Sequence, residues 1–350
     1  MRIRHRTIAA LAALPLVVAF AACAAPATPA AEEDDLDSIT SVDDIDLTGE
    51  RIRVIVSPPD VLATNLNVLL DQLEDWGAEV DRIEVLSTTG LQALIANQVD
   101  FATNGADELV LGTANGAAAT AIASHRAKMD YVFAAAPGIS SLEDLSGKIV
   151  GVSSPTGFDA NLTRLILEQA GIDTDTVSFV QIGNSGDRAA ALVSGRIDAA
   201  TIFLSTWLTI ADSGQAVELV RIADELDVSP KEAVFGLPAY IESHPKVALA
   251  VACANLESNR WFADNRDEWI EYALDFVPDA TEDEVAQMYE LASQVGMYPT
   301  DASELLIPSG LQALADAMYA NGDIPNEVDT STIIDHSYLD KAAEIGCGAK

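Results

Sequence analysis

The chain has 350 residues, 49% of them hydrophobic and 21% charged, which is enough apolar material for two ordinary cores. Its charge is lopsided: 55 Asp and Glu stand against 19 Lys and Arg, a net of −36. Such a surface repels nucleic acid and anionic lipid, and three cysteines are too few for a disulfide scaffold.

Residues 1–22 read as an export signal. Arg2, Arg4 and Arg6 precede an apolar run at 8–20, then the small residues Ala21 and Ala22, and no acid occurs before Glu32. The run is short for a membrane span. Phe20-Ala21-Ala22-Cys23 resembles a bacterial lipobox, with Phe20 where Leu is usual. That resemblance implies lipidation of Cys23, which would anchor the protein to the extracytoplasmic face of the cell membrane. An ordinary secretory signal, with Cys23 incidental, is the alternative. Residues 23–50 pass from Ala, Pro and Thr into a run of acids with little apolar periodicity, and are expected to form a flexible acidic tether.

The body then alternates strand and helix. RIRVIVS at 51–57 has strand periodicity and ends in a Pro-Pro turn. Leu66, Leu69, Leu70 and Leu73 give helical spacing over 62–76, with Gly77 as the stop. Strands are expected at 83–86, 99–103 and 119–123, and helices at 91–97 and 108–114, followed by an extended segment from 131 to Pro137-Gly138. A second run has a helical turn at 141–145, strands at 148–153, 177–181 and 197–203, and helices at 160–170 and 187–194. Another extended segment, AVFGL, stands at 233–237, and beyond it the chain reads as helices at 246–263, 267–277, 281–295 and 303–319. This is an α/β pattern of mostly parallel sheets covered by helices.

One phrase is written twice. ALIANQVDFAT at 93–103 and ALVSGRIDAAT at 191–201 share Ala, Leu, Asp, Ala and Thr in step, so the chain has two similar halves. Residues 51–137 with 238–350 are expected to form one lobe and 138–237 the other, with the extended crossings as a hinge. Open α/β sheets bind ligands at the carboxyl ends of their strands. That rule selects Ser57 and Asp60, Thr103 and Asn104, the loop Ser153, Ser154, Thr156, Gly157 and Phe158, and Ser205 with Trp207. In the third loop, hydroxyls and a glycine before a helix leave backbone N–H groups suited to a polar or anionic head group, or form a plain helix cap. Trp207 either stacks on a flat ligand or packs in the core. Asp60, Asp107, Asp159 and Asp187 surround the expected cleft with Arg188 as its obvious cation, which favours a neutral or cationic ligand if the acids point inward, and an anion held by the backbone N–H groups of Ser153–Gly157 if they are helix caps facing solvent. Asp100 and Asp198 are expected to orient strand ends.

The stretch SLEDLSGKIVGVSSPTGFDANLTRLILEQAGI at 141–172 resembles the substrate-binding proteins of ABC importers, in the nitrate, sulfonate, taurine and thiamine-precursor (SsuA/THI5-like) branch. Ile139, Leu142, Asp144, Leu145, Gly147, Lys148, Val150, Gly151 and Val152 match one recurrent pattern of that family. Ala191, Leu192, Gly195, Ile197, Asp198, Ala199 and Ala200 match another, whereas the earlier copy has Asn97-Gln98 in place of the glycine. The resemblance implies a type II periplasmic-binding-protein fold with a ligand cleft between two lobes. It also implies capture of a small organic molecule for delivery to an ABC permease and its ATPase, by a monomer that needs no cofactor.

Catalysis has little support in the sequence. His125, His244 and His336 are far apart, with neither metal-ligand spacing nor a nucleophile motif nearby. An enzyme of the same fold, like the suicidal pyrimidine synthases, remains an alternative, but those work in the cytoplasm and the export signal opposes it. A sensory or structural lipoprotein is the other alternative. Outside the membrane, Cys253 and Cys347 could pair as a disulfide or stand as free structural thiols.

Overall fold

The computed structural model describes residues 36–56, 59–84, 89–226 and 230–349. The signal segment, Cys23 with the first part of the tether, and Ser57 lie outside the described residues. Residues 36–50 are not a free tether. They form short 3-10 turns at Leu36–Ser38 and Val42–Asp44, and bury Ile39, Ile45 and Leu47 in the main core. The Leu47 N–H donates to the Trp76 carbonyl at 2.7 Å, and the Glu79 N–H donates to the Glu50 carbonyl at 2.8 Å. Three aliphatic residues dispersed among acids carry too little periodicity to be read as an element, yet each removes apolar area from water.

Among the described residues ten strands follow: β1 Arg51–Val56, β2 Glu79–Glu84, β3 Phe101–Gly105, β4 Thr120–Arg126, β5 Tyr131–Ala135, β6 Ile149–Val152, β7 Ser178–Gln181, β8 Ala199–Phe203, β9 Val217–Arg221 and β10 Glu232–Gly236. They form two five-stranded sheets, ordered β2-β1-β3-β10-β4 and β7-β6-β8-β5-β9. In each sheet four strands run the same way, and the strand in the fourth position, β10 or β5, runs antiparallel to both its neighbours. Both sheets therefore have the same plan. The chain changes sheets earlier than the sequence suggests: β5 lies in the segment 51–137 but pairs in the second sheet, and β10 lies in 138–237 but pairs in the first. β5 is apolar throughout and β10 is apolar after Glu232, and that pattern marks burial without saying in which sheet.

The repeated phrase holds equivalent places in the two sheets. Its strands are β3 and β8, each beside the first parallel strand of its own sheet. Asp100 accepts from the Arg53 N–H of β1 at 2.8 Å, and Asp198 accepts from the Ile149 N–H of β6 at 2.8 Å. The helix Pro245–Asp264, with a continuous buried run from Val247 to Leu256, packs on the helix Thr64–Asp75 and on β4. The helices Arg266–Phe276 and Glu282–Gln294 close a separate aromatic cluster around Phe262, Trp269, Tyr289 and Tyr298. Strand β9 escapes sequence reading because it is a short edge strand, exposed at Val217 and Glu218. Among the described residues, no helix is long and apolar enough to cross a membrane.

Candidate functional site

A cavity of about 590 Å3 lies where the carboxyl ends of strands from both sheets converge. The first sheet contributes Arg126 at the end of β4 and the turn after β1, with Asp60 and Leu62. The second contributes Phe203 at the end of β8 and, on the helix Leu204–Ala211, Ser205 and Leu208. The two crossings supply Asp130, Lys231 and Glu232. Val277, Ala280, Glu284 and Met288 complete the wall from the C-terminal helices.

The charged groups form one connected network. Arg126 donates through Nη2 to both carboxylate oxygens of Asp60, each at 2.7 Å, and through Nε to the Leu62 carbonyl at 3.2 Å. The Tyr298 hydroxyl donates to that same carbonyl at 2.7 Å, so the turn at the cavity rim is held from two sides. Asp60 also caps the 3-10 turn Val61–Ala63, accepting from the Leu62 and Ala63 N–H groups. Lys231 Nζ lies 2.5 Å from Asp130 and 3.7 Å from Glu232, and sits over the rings of Tyr131 and Phe203. His125 Nε2 is 2.8 Å from Glu232.

These contacts set the protonation states. Burial alone would raise the Glu232 carboxyl, but Arg126, Lys231 and His125 overcome it and hold the group well below the usual carboxylate range. Burial likewise disfavours the Arg126 charge, yet Asp60, Glu232 and Asp130 keep it firmly protonated. Burial, reinforced by Asp130, pushes the Tyr131 hydroxyl well above its ordinary value. Glu232 and Arg126 therefore stay charged in the cleft at neutral pH.

Of the residues selected from sequence, Asp60 and Ser205 line this cavity. Thr103 is buried and donates to the Ile55 carbonyl at 2.7 Å. Asn104 is half-buried beside Gly90, where any side chain larger than hydrogen would meet its amide oxygen. Ser153 commits its hydroxyl and its N–H to Asp159, so the proposed anion loop is tied to its own helix. Ser154, Thr156 and Gly157 are not among the cavity-lining residues, and Phe158 reaches the site only through Tyr131, whose ring stacks on Phe203 at 4.7 Å. Trp207 is a correction: it is buried among Leu192, Leu204 and Ile202, because a helix starting at the strand end turns its fourth residue inward. Arg188 is a second correction, being 3% exposed and bound to the Thr201 and Gly183 carbonyls and to Asp159. Asp187 is exposed and accepts from the Asn184 side chain at its helix cap.

Sequence reasoning missed Arg126, Asp130, Lys231 and Glu232. The signal was available: in a chain with 19 basic residues, SHRAKMD and SPKEAVFGL each place a cation against an apolar strand. Cys253 and Cys347 form a disulfide with Cα atoms 5.2 Å apart, away from the cleft.

A comparison with curated proteins finds no match. Solved structures do match. A sulfonate ABC transporter's periplasmic binding protein, SsuA from Methylobacillus flagellatus, is 14% identical, with a TM-score of 0.70 over 86% of this chain and 97% of its own. The aliphatic sulphonate-binding SsuA from Escherichia coli is 19% identical, with a TM-score of 0.65 over 82% of this chain and 92% of its own. The nitrate-binding protein NrtA from Synechocystis is 12% identical, with a TM-score of 0.64 over 84% and 88% respectively. At these identities the likeness shows a shared fold, that of the two-lobed periplasmic binding proteins. The family described as NMT1/THI5 like matches residues 73–268, more than half of the sequence, and to that family the chain belongs.

Proposed function

We propose that the protein is the extracytoplasmic solute-binding component of an ABC importer. The observation that carries this reading is the cavity of about 590 Å3, walled by both sheets and floored by the two crossings between them. A ligand held there touches both sheets only when they close on it, so its binding energy drives closure about the crossings. The closed shape is what a permease would read. The solved neighbours are named as sulfonate- and nitrate-binding proteins of importers, which supports a transport role over an enzymatic one. Asp60 and Ser205, joined by Glu232 and Phe203, are the proposed ligand contacts.

In this reading, residues 1–22 direct export, Cys23 carries the lipid anchor, and the body works as a monomer outside the membrane. Two measurements test it. The purified protein should show a ligand-dependent rise in melting temperature with no turnover, and native mass spectrometry should find a co-purified small molecule. Consumption of a solute that binds would overturn the receptor reading in favour of an enzyme. Cys23→Ser should release the protein from membranes; retention of the mutant would remove the lipid anchor from the account.

A further inference from the structure

The arrangement of charge in the cleft names a class of ligand, an inference that rests on the receptor reading above. Among the described residues, two cations and four acids line the cavity. Their depths differ. The Arg126 and Lys231 side chains are each 6% exposed and already engaged with Asp60, Asp130 and Glu232. The Asp60 side chain is 50% exposed and that of Glu232 21%, while Glu284 stands exposed at the start of its helix. The cations therefore lie behind the acids, and an incoming molecule meets carboxylate oxygens first.

A small anion would have to reach past these carboxylates and break the paired Arg126–Asp60 bonds to find a positive partner. That exchange strands Asp60 beside the anion and is unfavourable. A cation meets no such obstacle. Glu232 and Glu284 carry more lone pairs than their present partners use, and Asp60 Oδ2 takes a single donor, so an ammonium or amidinium group can approach these oxygens without disturbing the network. The remaining wall is mostly apolar, with Leu62, Phe203, Leu208, Val277, Ala280 and Met288 beside the uncharged polar side chains of Ser205, Thr209 and Gln287. The volume falls within the range of about 300–1,000 Å3 usual for drug-sized ligands, far more than a nitrate ion fills.

We propose that the cleft binds an organic cation, an ammonium or amidinium group on an apolar body, with the charged head against Asp60, Glu232 and Glu284. The solute specificity thus departs from that named for the sulfonate- and nitrate-binding neighbours.

The test uses three probes of one shape and different charge, namely benzylammonium, benzyl alcohol and benzylsulfonate, with nitrate added, by isothermal titration calorimetry on the full-length protein. Benzylammonium should bind about tenfold more tightly than benzyl alcohol, the share expected of a charge-assisted contact, and both anions should bind more weakly still. Gln287→Lys places a cation on the exposed cavity wall without touching the core, and should reduce or reverse that order. Glu284→Gln, which keeps the helix cap, should weaken benzylammonium alone. Tighter binding of benzylsulfonate or nitrate than of benzylammonium overturns the ligand class while leaving a receptor. Failure of benzylammonium to bind overturns the class as well. Only if no probe of any charge binds, and native mass spectrometry finds no co-purified molecule, does the receptor reading fall with it.

Discussion

Lys231 and Asp130 meet at 2.5 Å, and each stands on a different one of the two segments that carry the chain between the sheets. The backbones of those segments also join, the Lys231 N–H donating to the Arg126 carbonyl at 3.1 Å. Both side chains are almost fully buried, at 6% and 5% exposure. The pair therefore clasps the crossings about which the sheets would move.

Breaking a buried pair by removing one partner costs more than removing both, because the survivor is left charged without compensation. Lys231→Met or Asp130→Asn should each lower stability by about 3–5 kcal/mol in urea denaturation. The double variant should cost less than the sum of the singles. Losses that simply add would mean that the two residues act separately and that the backbone bond and packing hold the crossings together.

Asp107 gives the cleft region its own pH dependence. Burial, then the neighbouring Glu108, raises its carboxyl from 3.8 to about 6. A group whose folded value lies above its unfolded one stabilises the fold fully below the unfolded value, and loses that contribution as pH rises through the folded one. Stability should thus fall between about pH 4 and pH 6, by about 2 kcal/mol for this half-buried residue. Glu232 has the opposite sign: its contribution is present above its unfolded value and is lost only in acid. The difference between melting curves of the wild type and Asp107→Asn isolates the first effect, and a difference that does not vary across this window would remove Asp107 from the account.

How much of this was legible in the sequence depends on what each residue does. The α/β alternation, the two halves and the glycine stops follow from local spacing, which a strand or helix expresses along the chain. The exchange of β5 and β10 between sheets does not, since an apolar strand carries no label for its partners. The cleft was half legible. Asp60 and Ser205 follow from the rule on strand ends, but the same rule selected Trp207 and Ser153, which face the interior or their own loop. Lys231 and Glu232 stand at the start of a strand rather than its end, where the rule does not look.

The disulfide between Cys253 and Cys347 ties the C-terminus to the central helix across 94 residues. Two further bonds lie beside it: the Gly348 N–H donates to Glu257 and the Arg260 Nε donates to the Gly348 carbonyl, each at 2.7 Å. Closing so long a loop restricts the unfolded chain, and removing such a bridge typically costs about 2–5 kcal/mol. Reductant should shift the urea midpoint downward while leaving ligand binding intact, because the bridge lies outside the cleft. Coincident curves with and without reductant would show that Cys253 contributes by packing alone.

The repeated phrase supplies the sharpest test of the two-halves reading. Gly195 has φ of 71° and Asn97, at the matching position, has φ of 53°, so both chains turn through the left-handed region at the same step. Asparagine is among the few residues other than glycine that visit this region readily. Here it has a second task, since Arg53 donates to its carbonyl at 2.8 Å and to its side-chain oxygen at 3.1 Å. Arg53 also reaches Asp100, so the turn, the first strand and the repeated aspartate are bound into one unit. Asn97→Gly keeps the backbone and loses only the side-chain contact, so it should change stability by less than about 1 kcal/mol. Asn97→Val and Gly195→Val force a β-branched residue into the same conformation, and each should cost about 1–2 kcal/mol or more. If valine is tolerated at 97 but not at 195, the two turns are not equivalent, and the duplication extends only to the strands that follow them.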